Sequence, residues 1–239
     1  MFSKSVFNFI NNSLEKYTGL RIQPSSDYRL GKVRTQLLKS DEIKVLIDVG
    51  ANKGQYVERV RKDGYKGLVH SFEPTSNYEI LKKRASLDND WHVHNIALSN
   101  FDGEEIMNVS SNQGLSSSLL KPKEILNQGF GIGFTDKEKV IVHRLESIYK
   151  EIDMDNGYLK LDVQGSEMDI LRGAERILSK FRFIEFESAL VQLYEGETTH
   201  YEISRWLMDH GFKPLQVVVT HWDSSGATIS LDAIFERVG

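Results

Sequence analysis

The sequence predicts an α/β fold, a mostly parallel sheet with helices on both faces and an antiparallel last strand. Three observations carry this. From Val45 onward, short apolar runs rich in β-branched residues alternate with segments of helical periodicity, the pattern of parallel strands joined by right-handed crossovers. The first run breaks into Asp48-Val49-Gly50-Ala51-Asn52-Lys53-Gly54, a glycine turn such as opens a helix at the ligand-binding edge of an α/β sheet. The last two runs, residues 217–220 and 231–237, are joined by the polar turn His221 to Gly226, which makes them a hairpin and therefore antiparallel.

Composition bounds the rest. A chain of 239 residues, 40% hydrophobic and 27% charged, is that of an ordinary globular protein with room for one α/β domain. No apolar run approaches the ~20 residues of a spanning helix. The net charge of −4 gives no general attraction to nucleic acid, which is not an expected partner. With no cysteine, disulfides, thiolate metal sites and cysteine nucleophiles are excluded. Asn8, Asn11 and Asn12 interrupt the apolar residues at the start, so no cleavable signal pattern is read and cytoplasm is the default.

Residues 1–40 read as an N-terminal helical extension to a domain of residues 41–239. Phe2, Val6, Phe9, Ile10 and Leu14 recur at helical spacing over 2–17, a helix packed on the domain rather than a membrane anchor, because Lys4 and Lys16 form no basic cluster. Residues 19–31, with Pro24, Ser25 and Ser26, read as a connector. After the first strand a helix is expected over 55–62, with Gly64 placed to end it. Residues 68–73 are the second strand, and Ser76 with Glu79 makes a capping-box pattern for a helix to about Leu87. Residues 91–98 are the third strand. Residues 99–150 break the rhythm: 104–110 and 140–144 read as strands of an inserted hairpin and loop region that covers the ligand site. Alternation resumes with a strand over 158–163, a helix over 166–178 and a strand over 181–186. Thr199 and Glu202 form a second capping-box pattern before a helix that Gly211 ends.

In such a sheet the ligand lies beyond the carboxyl ends of the strands. Asp48 before the glycines is unlike a diphosphate cradle and suits a ligand with an ammonium group and hydroxyls. Alone, the stretch equally fits a plain strand–turn–helix junction. Glu73 ends the next strand, where a carboxylate can accept hydrogen bonds from both hydroxyls of a ribose. Its other reading is an acid at a helix N-terminus.

Four runs, residues 46–54, 72–74, 95–99 and 159–167, resemble in order and spacing the FkbM-type methyltransferases, a family of class I enzymes that use S-adenosylmethionine (AdoMet). The resemblance spans residues 45–235 and is most specific over 160–167 with 170–174 behind. It implies a Rossmann-like, seven-stranded sheet whose last strand is antiparallel, in agreement with the terminal hairpin. By position it implies Asp48 and Gly50 beside the methionine ammonium and backbone, with Ala51, Asn52, Gly54 and Tyr56 in the same pocket. Glu73 takes the ribose, Asn95 and Ala97 border the adenine, and Ser117 and Ser118 touch cofactor or acceptor. Gln164 stands where members often carry Glu, and Arg144-Leu145-Glu146 where they often carry Thr-Leu-Asp.

Methyl transfer to an alcohol requires alignment with the S–CH₃ bond and removal of the hydroxyl proton, by a base or by a metal that acidifies the alcohol. Asp162, at the end of the fourth strand, is the first candidate base and Glu187 the second; both also read as strand-end acids satisfying backbone N–H groups. His221 is the best-placed imidazole. Asp162 and Glu187 with one more oxygen ligand could hold Mg²⁺, although two acids do not make a metal site. His70, His92 and His94 read as packed within strands, and Trp222 offers a stacking face to a sugar. The expected function is AdoMet-dependent O-methylation of a saccharide, glycoconjugate or small-molecule hydroxyl, with homo-oligomerisation left open. The alternatives are N-methylation of a small molecule and a catalytically silent nucleotide-binding interaction module. A dehydrogenase is disfavoured by Asp48, by the incomplete G-x-G-x-x-G and by the antiparallel strand.

Overall fold

The computed structural model describes residues 26–40, 43–148 and 152–239, together with 16 and 18. The helix expected over 2–17 therefore lies outside the described residues, apart from residue 16. In chain order come α1 (Ser26–Leu38), β1 (Val45–Val49), α2 (Gln55–Lys62), β2 (Leu68–Phe72), α3 (Tyr78–Ala85), β3 (Trp91–His94), β4 (Ala97–Leu98) and β5 (Gly103–Ser110). There follow α4 (Glu124–Phe130), β6 (Phe134–His143), α5 (Leu145–Ile148), β7 (Gly157–Leu161), α6 (Glu167–Arg172), a 3₁₀ turn (Glu175–Lys180), β8 (Phe181–Ala189), α7 (His200–Asp209), β9 (Phe212–Trp222) and β10 (Thr228–Arg237).

Seven strands form one sheet in the order β3-β2-β1-β7-β8-β10-β9, and β10 alone runs against the direction of the other six. The order reverses at β1, whose carboxyl end is therefore the crevice where α/β sheets bind ligands. Because side chains alternate along a strand, β1 feeds two cores. Val45, Ile47 and Val49 meet Ile170 and Leu171 of α6 and Ile203 and Leu207 of α7. Leu46 meets Leu30 and Leu38 of α1, Val57 and Val60 of α2, and Leu81 of α3. A second, three-stranded sheet, β4-β6-β5, carries the insertion. Among the described residues no helix is long and apolar enough to cross a membrane.

Several boundaries differ from expectation for local reasons. The third strand stops at His94, because the Asn95 amide donates to the carbonyls of Glu73 (3.0 Å) and Pro74 (3.1 Å); the chain turns there, and Ala97–Leu98 joins the second sheet. Ser76 caps no helix: its N–H and hydroxyl donate to Glu138 of β6 at 2.7 and 2.9 Å, and α3 begins at Tyr78. The helix expected over 166–178 breaks at Gly173, where a Cβ would come within 2.0 Å of the Ser99 carbonyl oxygen, and continues as the 3₁₀ turn. The fourth strand ends at Leu161 and the fifth runs on to Ala189. Part of the expected connector is helical from Ser26, and α4 was not foreseen. The Thr199–Glu202 capping box forms as read.

Candidate active site

The switch point opens into a cavity of ≈ 210 Å³. Its floor is the turn after β1, which Gly50 permits by taking φ +77° with the Asp162 carbonyl packed where a side chain would stand. Of the residues named from sequence, Gly50, Ala51, Asn52, Tyr56, Glu73, Ala97 and Asp162 line it. The apolar part of the wall is Phe72, Ile96, Leu98, Met107 and Leu119, the last two from the insertion, and sequence reading had missed them.

Glu73 is buried yet already ordered. Its carboxylate accepts the backbone N–H of Asn52 (2.8 Å), the N–H of Thr75 (2.9 Å) and the Thr75 hydroxyl (2.5 Å). Burial raises its pKa above the usual carboxylate range, against those hydrogen bonds. A ligand presenting hydroxyl donors would restore the solvation that burial removes.

Four predicted residues stand elsewhere. Asp48 is fully buried behind the cavity wall, where Ser71 donates to it (3.0 Å) and the Lys160 ammonium lies 3.2 Å away. Gly54 begins α2, and any side chain there would strike Trp91 at 2.7 Å; its place is set by packing. Asn95 holds the β2–β3 corner as described. Ser118 points away, donating to the Gln164 carbonyl at 2.7 Å, while its neighbour Ser117 lines the cavity.

Lys160 is the principal residue that sequence reading did not assign. Register places it directly across from Asp48, and its ammonium also lies 3.4 Å from the Gly50 carbonyl, 3.5 Å from Asp162 and 5.0 Å from the centre of the Tyr56 ring. Burial opposes its charge, but Asp48 and Asp162 outweigh that and hold its pKa above the usual lysine value. Behind it, Glu185 accepts hydrogen bonds from the Arg34 guanidinium of α1, from Tyr56 (3.0 Å) and from Tyr158 (2.5 Å). Burial works against ionisation of Glu185, but Arg34 prevails and keeps it below the usual range.

The candidate bases form a chain. Gln164 sits at φ +58°, a conformation costly for a residue with a side chain, and its amide donates to Asp162 (2.9 Å) and reaches Glu187 (3.5 Å). Ser230 donates to Glu187 (3.3 Å) and lies 2.8 Å from His221 Nδ1; Glu187 and His221 are 3.5 Å apart. If Ser230 spends its proton on Glu187, Nδ1 of His221 must be the donor in that contact. Glu187 and His221 are therefore together, but not in the main cavity: they line a second hollow beside it. A Mg²⁺ site does not fit. The Gln164 amide donor stands between the two carboxylates, and among the described residues no group of three His, Cys, Asp or Glu side chains could hold a metal.

Comparison with known proteins bears on the family and the fold. Against 2-O-methyltransferase NoeI of Sinorhizobium fredii (strain NBRC 101917 / NGR234) the chain is 27% identical over 188 residues, which cover 75% of this chain and 76% of the relative. The solved structure of Methyltransferase FkbM from Methylobacillus flagellatus KT superposes with TM-score 0.53 at 19% identity, over 88% of this chain and 48% of the other, so the chain spans about half the length of that protein. An rRNA methylase from Streptococcus thermophilus matches over 91% and 99% of the two chains, with TM-score 0.50 at 9% identity, a likeness of fold alone. Residues 48–214 match the Methyltransferase FkbM domain, and the chain belongs to the FkbM methyltransferase family.

Proposed function

We propose that the protein is an AdoMet-dependent O-methyltransferase acting on a hydroxyl of a saccharide or glycoconjugate. The observation that carries the cofactor reading is Glu73, a buried carboxylate on the cavity wall that three hydrogen bonds pre-orient and that can still accept from a ligand's hydroxyls. The apolar slot of Phe72, Ile96, Leu98 and Met107 suits an adenine, and the paired charges Lys160 and Asp162 suit the carboxylate and ammonium of an amino acid. Hydroxyl acceptors are favoured by the 2-O-methyltransferase name of the NoeI relative.

When bound, AdoMet supplies a methyl group activated by its sulfonium. The residues of the chain then have two tasks. They hold the acceptor oxygen in line, which brings most of the rate enhancement of a displacement. They also take its proton: Asp162 is the candidate base, its Oδ1 accepting from Gln164 and its Oδ2 lying 3.5 Å from the Lys160 ammonium, with the Glu187–Ser230–His221 chain on the acceptor side.

Titration calorimetry with AdoMet, S-adenosylhomocysteine and NAD tests the cofactor; the first two bind, and binding of NAD alone would overturn the reading. Labelled-methyl transfer to a panel of sugars and glycolipids tests the acceptor. With any acceptor so found, Asp162→Asn is expected to lower kcat about 10²- to 10⁴-fold, the usual contribution of a general base, and a normal kcat would refute the assignment.

A further inference from the structure

The second hollow, ≈ 80 Å³, lies between α4 of the insertion and the ends of β8, β9 and β10, beside the main cavity: Ser116 lines the one and its neighbour Ser117 the other. Its two sides differ in chemistry. One carries Gln164, Glu187, Ser230 and His221, tied into the hydrogen-bonded chain described above. The other is apolar, with Leu126 and Phe130 of α4, Ile132, Leu193 and Ile229.

We propose that this hollow is the acceptor subsite and that it takes an uncharged, hydroxyl-rich ring, a neutral pyranoside, in preference to a sugar phosphate or a sugar acid. The proposal rests on the methyltransferase reading and adds to it the place and charge class of the acceptor. A carboxylate accepts hydrogen bonds and gives none, so a ligand that meets Glu187 must bring O–H or N–H donors. No lysine or arginine is among the residues lining the hollow, and His221, the lining side chain that can become cationic, already lies 3.5 Å from Glu187, so an anionic group placed there would compete with that carboxylate for it. The apolar side selects for a ring with a C–H face, for which Phe130 provides an aromatic surface. A pyranoside has both kinds of surface, hydroxyls at its edge and C–H groups on its face. Gln164 lines this hollow, and its amide is held between Glu187 of the hollow and Asp162 of the main cavity.

The test is saturation-transfer NMR on the full chain with S-adenosylhomocysteine present, using methyl pyranosides of the common neutral hexoses and 6-deoxyhexoses, the corresponding 6-phosphates, and uronic acids. At least one neutral glycoside is expected to bind, and its phosphate to bind at least about tenfold more weakly. Phe130→Ala is expected to weaken the neutral glycoside about tenfold, the worth of a ring-stacking contact, and Glu187→Gln to narrow the gap between neutral and phosphorylated sugars. Thermal unfolding of each variant verifies that it is folded. No binding by any neutral glycoside at millimolar concentration overturns the proposal, as do phosphates that bind equally well or a Phe130→Ala variant that binds normally. Calorimetry on the wild type keeps the two levels apart: failure to bind S-adenosylhomocysteine defeats the methyltransferase reading, whereas cofactor binding without glycoside binding defeats only this subsite.

Discussion

Asp48 and Glu73 are two buried acids from adjacent strands, and their surroundings give them opposite tasks. Asp48 has its charge balanced inside the protein by Lys160, whereas Glu73 has hydrogen bonds but no cation and faces the cavity. Glu73→Ala is therefore expected to weaken S-adenosylhomocysteine about 10- to 100-fold by calorimetry, the range for hydrogen bonds to a charged group, with little change in fold. Lys160→Met should cost stability besides removing the ammonium proposed to meet the cofactor's carboxylate. It leaves Asp48 charged and unpaired inside the protein, a loss of about 3–5 kcal/mol, or roughly 10 °C in unfolding temperature for a chain of this size. The double variant Asp48→Asn, Lys160→Met is expected to recover most of it by differential scanning calorimetry. The importance of Asp48 was legible in the sequence, but its partner was not. A lysine within the apolar run Tyr158-Leu159-Lys160-Leu161 signals a buried cation, yet only the register of β7 on β1 shows which acid it meets.

At the scale of elements, α1 does more than cover the sheet. Arg34 stands over the Tyr56 ring at 4.8 Å, while Lys160 approaches the same ring at 5.0 Å, so a cavity-lining aromatic is held by an N-terminal helix and a central strand together. Binding in the cavity and docking of α1 should therefore support each other, because linkage is reciprocal. Arg34→Met is expected to weaken S-adenosylhomocysteine several-fold, and the ligand to slow amide hydrogen exchange across Ser26–Leu38 in the wild type; unchanged exchange would separate the helix from the site. The elements themselves were readable where periodicity and capping agreed, as for β1, α2 and the Thr199 capping box of α7. They were misread where a distant group took over a local signal. Glu138 lies 62 residues from Ser76 and removes it from helix capping, and the Ser99 carbonyl shapes the chain at Gly173. The apolar half of the candidate site was illegible for the same reason, since Met107 and Leu119 reach the cavity only through the fold of the insertion.

Across the whole molecule, acids from β8, from β10 and from the turn after β7 gather at one end of the sheet. Asp232 bears the consequence. Burial, and then the charges of Glu187, Glu185 and Asp162, push its pKa up to about 8. In the unfolded chain it ionises near the ordinary aspartate value, so between that value and about 8 the folded state holds the extra proton. Its contribution to stability is full below the unfolded pKa and is lost as pH rises through about 8. The unfolding temperature of the wild type is therefore expected to fall from pH 5 to pH 9, and Asp232→Asn to flatten that slope; an equal slope in both proteins would refute the assignment. The overall architecture was legible because alternating strands and helices with a terminal hairpin leave few ways to close a sheet.

The position of β10 has a consequence for how the chain acquires its shape. β10 lies between β8 and β9 although it follows both in the sequence. β9 is thus joined to the sheet only through a strand made after it, and α1, made long before either, waits for the β9 surface it packs on. The folding chain keeps the edge of β8 without its mate until β10 docks, an interval in which a chaperone, or a neighbouring chain, competes for the vacancy.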